Sequence, residues 1–396
     1  LFGNNQEASM FEIIDKEPSG TVIKVIGVGG AGGNAVEHMI RENVQGVEFI
    51  CVNTDIQALN QSSAGIKVQL GTGQGAGGKP EKARDLALSD RERIAEVLEG
   101  AHMVFITAGM GGGTGTGAAP VVAEVAREMN ILTVAVVTKP FEFEGRRMRV
   151  AEEGLGELQQ YVDALIVILN EKLMEVLGDD VSMQEAFKSA DNVLRNAVGG
   201  IAEIINVPGL VNVDFEDVRT VMGEMGKAMM GSATAAGVDR ARLAAEAAAA
   251  SPLLEGVELS GARGVLVNIT ASRMLGMREV KDVMTTIKTY THEEATVIFG
   301  TVFDDAMEDE LRVTVVATGL GGKVVMKPKL ETVQTYGLRT GTDDRIFAEP
   351  VAGNIETGGL PPVFTSGRAR NAAVEAMSAS GVDKYDIPAF LRRQAD

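Results

Sequence analysis

The run Gly109-Met110-Gly111-Gly112-Gly113-Thr114-Gly115-Thr116-Gly117 carries the residue types that grip an oxyanion. Glycine lets the backbone turn tightly and aim successive N–H groups at one point. Val104–Thr107, just before it, reads as a short buried strand of β-branched and aromatic residues. Ala118–Glu128, just after it, reads as a helix with Pro120 in its first turn, where a missing N–H costs nothing. The glycines then sit on a strand-to-helix loop, where the helix dipole adds partial positive charge. Thr114 and Thr116 can add hydroxyl donors. Phosphate binding is the chemistry this pattern serves. A flexible loop or a tight packing turn is the competing reading, which the paired threonines and the strand-loop-helix context disfavour.

A second glycine cluster, Gly27, Gly29 and Gly32, has the spacing G-x-G-x-x-G between a strand at Thr21–Ile26 and a helix at Ala35–Glu42. It fits a dinucleotide site, a mononucleotide site or a close-packed turn. Asp55 follows the strand Val47–Val52, at the spacing of about 20 residues that a ribose-binding acid takes after such a loop. It serves equally as the N-cap of a helix starting at Ile56. A third cluster, Asn212, Asp214 and Asp217, sets polar groups among apolar residues at a helix start. Capping explains it with Asp214 at the N-cap and Asp217 at the third helical position, and that role does not exclude chemistry.

These clusters need a frame. Further strands read at Lys67–Leu70, Leu132–Thr138 and Ala164–Leu169, with helices at Glu81–Leu98 and Met148–Tyr161. The alternation implies a parallel sheet with helices on both faces and a ligand crevice at the carboxyl ends of the strands. Gly71–Pro80 reads as a mobile, glycine-rich surface loop. Ser182–Ile205 is one long helix whose Ala186, Ala190, Leu194, Ala197 and Ile201 share a buried face, and Pro208-Gly209 stops it. The second half has helices at Arg240–Ala250 and Arg278–Thr291 and strands at Gly264–Thr270, Ala295–Val302 and Leu311–Gly319, an α+β pattern. From Gly322 to Asp383 periodicity fades into a linker read as disordered, with a transient helix at Arg368–Met377. The terminal Asp386, Ile387, Pro388, Phe390 and Leu391 suit a short peptide that folds into a partner's groove.

Composition bounds the function. The 396 residues leave room for about two domains and a tail. A net charge of −18 argues against a nucleic-acid binder, since no basic field offsets phosphate repulsion. Cys51 is the single cysteine, so neither a disulfide framework nor a cysteine metal site is available. No apolar stretch approaches a membrane span and no signal peptide is visible, which reads as cytoplasmic; residues 1–9 read as a lead segment.

Gly111–Gly117, Asn212–Asp217 and Asp386–Leu391, in this order, resemble the tubulin/FtsZ family of self-assembling GTPases, and the likeness runs from Thr21 to about Gly319. The resemblance implies an α/β fold: a flexible segment 1–20, a Rossmann-like GTP-binding domain 21–181, a central helix 182–207, a smaller α+β domain 208–321, a disordered linker 322–383 and a partner-binding peptide 384–396. It implies that Gly30, Ala31, Gly32, Gly33 and Asn34 contact the nucleotide. Gly109, Gly112, Gly113, Thr114 and Gly115 would hold the phosphates, and Glu144 and Arg147 would lie near ribose and phosphate. Asn170, Phe187 and Asp191 would read guanine; Phe187 can stack and Asp191 can accept the N1 and N2 protons. Asn212, Asp214 and Asp217 would act on the γ-phosphate held by the next subunit of a head-to-tail filament, orienting the attacking water. GTP and GDP are the implied ligands, with Mg2+ held by the phosphates and K+ as a possible activator. The implied partners are further copies of the chain, the tethers FtsA and ZipA at the terminal peptide, and division inhibitors. The implied location is the mid-cell division site.

The sequence departs from the family pattern at three places. Gly71–Pro80 is about four residues short with Lys79 before the proline, the Glu144 loop is one residue short before Arg147, and Leu169 stands where proline is usual. These departures motivate a second reading, a GTP-binding filament with impaired hydrolysis. A third, an NAD-dependent oxidoreductase, rests on Gly27–Gly32 alone and leaves the other two clusters without a role.

Overall fold

The computed structural model describes residues 20–177, 182–207, 211, 213–224, 226–251 and 261–320. The lead segment, Pro208-Gly209, Asn212, the linker with its transient helix and the terminal peptide lie outside the described residues.

Most strand segments of the first half are apolar on both faces, so they must be covered on both sides. They form β1 (Ile23–Val28), β2 (Glu48–Asn53), β3 (Ile66–Gln69), β4 (Met103–Gly109), β5 (Leu132–Lys139) and β6 (Ala164–Leu169), all parallel, in the order β3-β2-β1-β4-β5-β6. The intervening helices are α1 (Gly29–Arg41), α2 (Ile56–Gln61), α3 (Pro80–Ser89), α4 (Arg91–Leu98), α5 (Thr114–Glu128), α6 (Arg146–Leu158) and α7 (Asn170–Leu177). Strand residues alternate between two cores. Ile23, Val25 and Phe105 pack with Val36 and Met39 of α1 and with Leu194, Val198 and Ile201 of α8 (Met183–Asn206). Ile26, Val28 and Ile106 pack with Leu98 of α4, Val122 of α5 and Leu158 of α6. Each such aliphatic side chain contributes about 1.5–3 kcal/mol by leaving water.

The second half comprises α9 (Phe215–Met222), β7 (Gly226–Ala236), α10 (Arg240–Ala249), β8 (Gly264–Ala271), α11 (Met277–Tyr290), β9 (Thr296–Phe303) and β10 (Glu310–Leu320). Its β7 pairs parallel with β6 and antiparallel with β10, so one ten-stranded sheet runs through both halves, ending β6-β7-β10-β8-β9. A third core joins Val267, Ile269, Val313 and Val315 to Ala244 and Ala248 of α10 and Val283 and Ile287 of α11.

Several elements differ from the sequence expectation. Helix α5 begins at Thr114, because Gly117 N donates to Gly113 O at 3.0 Å, so Pro120 lies inside the helix instead of in its first turn. Similarly, α1 starts at Gly29 and takes the glycine cluster into its first turn. The helix expected over Glu81–Leu98 is two. It breaks at Asp90, whose carboxylate accepts Gly71 N at 2.7 Å. Beside it, the Gly71–Pro80 loop hydrogen-bonds to the segment after β2: Ile56 N donates to Gly73 O at 3.1 Å and Gly75 N to Thr54 O at 2.8 Å. Strand β7 and helix α7 have no counterpart in the sequence reading.

Candidate functional site

Between β1 and β4 the chain order reverses, and α1 and α5 leave those two strands towards opposite faces of the sheet. Such a switch point leaves a crevice at the carboxyl ends of the strands. Both helices begin there without a side-chain cap, so their first N–H groups are free for a ligand.

Glycine has distinct uses at this point. Gly27 and Gly32 allow close packing: a Cβ on Gly32 would collide with Thr107 O, and one on Gly27 with Gly32 O. Gly30, Gly33 and Gly112 face open space, and so form the free rim of the crevice. The two glycine clusters meet there. A Cβ on Gly109 would stand 2.6 Å from Ala31 Cβ, and one on Gly29 would stand 2.9 Å from Gly115 N. Gly111 has φ +93°, a left-handed conformation, and lies beneath the Arg147 carbonyl. Thr116 is buried and accepts Gly111 N at 2.9 Å, so this hydroxyl shapes the loop rather than facing a ligand. Thr114 lies at the first helical position, half-buried.

A cavity of about 220 Å³ opens beside this rim, lined among others by Gly30, Gly33, Asn34, Asn53 and Ser62. A larger one, about 740 Å³, lies between α3, the first turn of α5 and α6, and includes the ion pair Arg84–Glu157 at 3.0 Å. The smaller cavity, not the larger, meets Gly30 and Gly33.

Glu144 and Arg147 form an ion pair beside the Gly111 turn, which the Arg147 carbonyl covers, and Glu144 Oε1 also accepts Phe141 N at 3.1 Å. Asn170, directly after β6, opens α7; it is buried, and its Oδ1 has no partner. A buried carbonyl left without a donor is costly unless a ligand supplies one. Phe187, on the second turn of α8, is 47 % exposed and meets the Phe141 ring edge-on at a 6.0 Å centroid distance. Asp191, one turn further along, is half-buried. Burial pushes its carboxyl up to about 6, and nearby His38 and Arg41 pull the other way. An exposed ring, an acceptor carboxyl and an orphaned amide oxygen fit a flat heterocycle bearing N–H donors. Phe141 carries no sequence signal for its place here, because tertiary contact alone brings it in.

Asp214 and Asp217 are elsewhere. Asp214 caps α9 by accepting Asp217 N at 2.8 Å, and both are exposed. Helix α8 measures the separation. Ser182 and Glu185 cap its start in a reciprocal box. At its end Asn206 Nδ2 donates to Thr21 O at 3.0 Å and Gly46 O at 2.7 Å, beside the amino ends of β1 and β2. Its 24 residues span about 36 Å. Phe215 meets the ring of His102, just before β4, with centroids 6.1 Å apart. The acidic pair therefore sits at the opposite end of the sheet from the glycine crevice.

Residues 22–178 match the Tubulin/FtsZ family, GTPase domain, and residues 226–321 match the FtsZ family, C-terminal domain. A relative named cell division protein FtsZ from Pseudomonas putida is 55% identical over 98% of this chain and 100% of its own length. One of the same name from Coxiella burnetii is 53% identical over 97% and 99%. Among solved structures, an empty FtsZ dimer of M. jannaschii superposes with a TM-score of 0.74 at 42% identity, covering 76% of this chain and 89% of that one. The GTPgS-bound protofilament of CetZ2 from Haloferax volcanii, at 22% identity, shares the fold with a TM-score of 0.64 over 76% and 93%.

Proposed function

Since the chain belongs to the Tubulin/FtsZ family, we propose that it hydrolyses GTP in a site shared by two of its own copies. It is a self-assembling GTPase of cell division. The observation that carries the shared site is the length of α8, which keeps Asp214 and Asp217 a whole sheet away from the crevice of their own subunit. Only a second copy, stacked head to tail, brings an acidic pair onto bound phosphates. Such an interface is heterologous and open-ended, as a filament requires.

In this reading the rim of Gly30–Asn34 and Gly109–Gly115 takes the phosphates, with Thr114 as a hydroxyl donor. Glu144 and Arg147 lie towards the ribose. Phe187 stacks on guanine, ionised Asp191 accepts its N1 and N2 protons, and Asn170 Oδ1 receives a base donor. Asp214 and Asp217 of the neighbour, with Asn212, orient the attacking water; positioning outweighs proton abstraction because a carboxylate is a weak base at neutral pH. Mg2+ on the phosphates would offset their charge, and K+ would assist. The peptide Asp386–Leu391 would bind the membrane tethers FtsA or ZipA at mid-cell. The nicotinamide alternative has no support, since neither matched family description is of an oxidoreductase.

The test is GTP hydrolysis per subunit against protein concentration, with light scattering alongside. Turnover should be near zero when dilute and rise above a threshold. Concentration-independent turnover would sink the shared site. Scattering without phosphate release would favour the non-hydrolysing filament.

A further inference from the structure

Thr54 is 1 % exposed, and its hydroxyl lies 2.7 Å from that of Thr114 in the first turn of α5. Either oxygen can donate to the other. Thr114 is half-buried and lies beside Gly29, where a Cβ would stand 3.2 Å from Thr114 Cβ. Thr54 also holds the neighbouring loop, its carbonyl accepting Gly75 N at 2.8 Å. That loop lies against α5: a Cβ on Gly113 would stand 3.1 Å from Ala76 Cβ and 3.1 Å from Lys79 N.

A threonine hydroxyl has one proton to give. If Thr114 gives it to Thr54, an oxygen lone pair faces the crevice and repels phosphate. If Thr54 gives its proton to Thr114, the Thr114 proton is free for a phosphate oxygen, and the two hydrogen bonds strengthen each other. We propose that Thr54 is a positioning residue for phosphate binding. Its hydroxyl donates to Thr114 Oγ1 and thereby aims the Thr114 proton at the nucleotide. This rests on the phosphate reading of the crevice. It adds a residue outside both glycine clusters that decides how well one of them works.

The experiment titrates a fluorescent GTP analogue into the full chain carrying Thr54→Val, Thr54→Ser, Thr114→Val or Thr54→Val with Thr114→Val, with nucleotide-free melting as the control for folding. Thr54→Val should weaken binding roughly tenfold and Thr54→Ser by no more than about twofold. The double variant should bind no more weakly than Thr114→Val alone, since without the Thr114 hydroxyl there is nothing to aim. If Thr54→Val melts early, Thr54→Ala against Thr54→Ser repeats the comparison, because that pair differs only in the hydroxyl. Serine as weak as valine or alanine, or penalties from the two sites that multiply, would overturn the proposal. No binding by the unsubstituted chain would overturn the reading of the crevice itself, and the assignment of Thr54 with it.

Discussion

In the proposed site, Asp191 would couple recognition to pH. Burial keeps its carboxyl protonated up to about 6, above the range of an exposed aspartate. The native state therefore holds a proton that the unfolded chain has released, and the contribution of Asp191 to stability falls as pH rises through that window. Guanine held as proposed would need the opposite form, the ionised acceptor. GTP affinity should thus climb from about pH 5 to pH 7 and then level off, while melting without nucleotide shows the reverse trend for this group. Asp191→Asn should flatten both trends, which calorimetry and melting at several pH values can check. The glycines allow a second residue-scale prediction. Gly32→Ala places a methyl against Thr107 O and should cost about 1–3 kcal/mol, read as a lower melting temperature. Gly33→Ala meets nothing, so it should leave melting unchanged or raise it slightly, and should weaken nucleotide binding by crowding the rim.

Among the elements, α9 offers a way to separate the structural role of its cap from the proposed chemical one. Asp214 caps the helix, so Asp214→Ala should lower stability by about 1 kcal/mol as well as turnover. Asp217 lends the cap only its backbone N–H. Asp217→Ala should therefore melt close to the unsubstituted protein and bind GTP normally, yet lose turnover. Equal loss of stability in both variants would reduce the pair to a helix cap. The long helices and buried strands were legible in the sequence because periodicity and apolar runs encode them directly. Strand β7 was not: its segment Gly226–Ala236 is glycine, alanine, methionine and serine apart from Lys227 and Thr234, with little β preference. It is a strand because β6 and β10 flank it and must be paired. The break at Asp90 likewise lacks a local signal, since the Gly71 amide that donates to its carboxylate comes from a distant loop.

For the whole molecule, the separation of crevice and acidic pair makes complementation possible. A chain with Asp217→Ala keeps a sound crevice, and a chain with a crowded crevice keeps sound acids. Mixing the two, each inactive alone, should restore phosphate release up to about a quarter of the unsubstituted rate, the share of random junctions that join one sound half to the other. No recovery, although the mixture co-assembles, would argue against a site completed by a neighbour. The ten-stranded sheet fixes that geometry, because β7 carries the pairing from one half into the other without a flexible joint.

The phosphate chemistry, the α/β class and the residues of each cluster can be read from the chain alone, because glycine spacing, threonine pairs and apolar runs act locally and need no partner to be recognised. Tertiary structure decided where those clusters stand. It brought Gly109 against Ala31, Phe141 against Phe187 and Thr54 against Thr114, and it left Asn170 Oδ1 without a donor. It also put Asp214 a helix length from its own crevice. Contacts of this kind join residues far apart in the chain through packing and strand order, and no local pattern records which of them will meet.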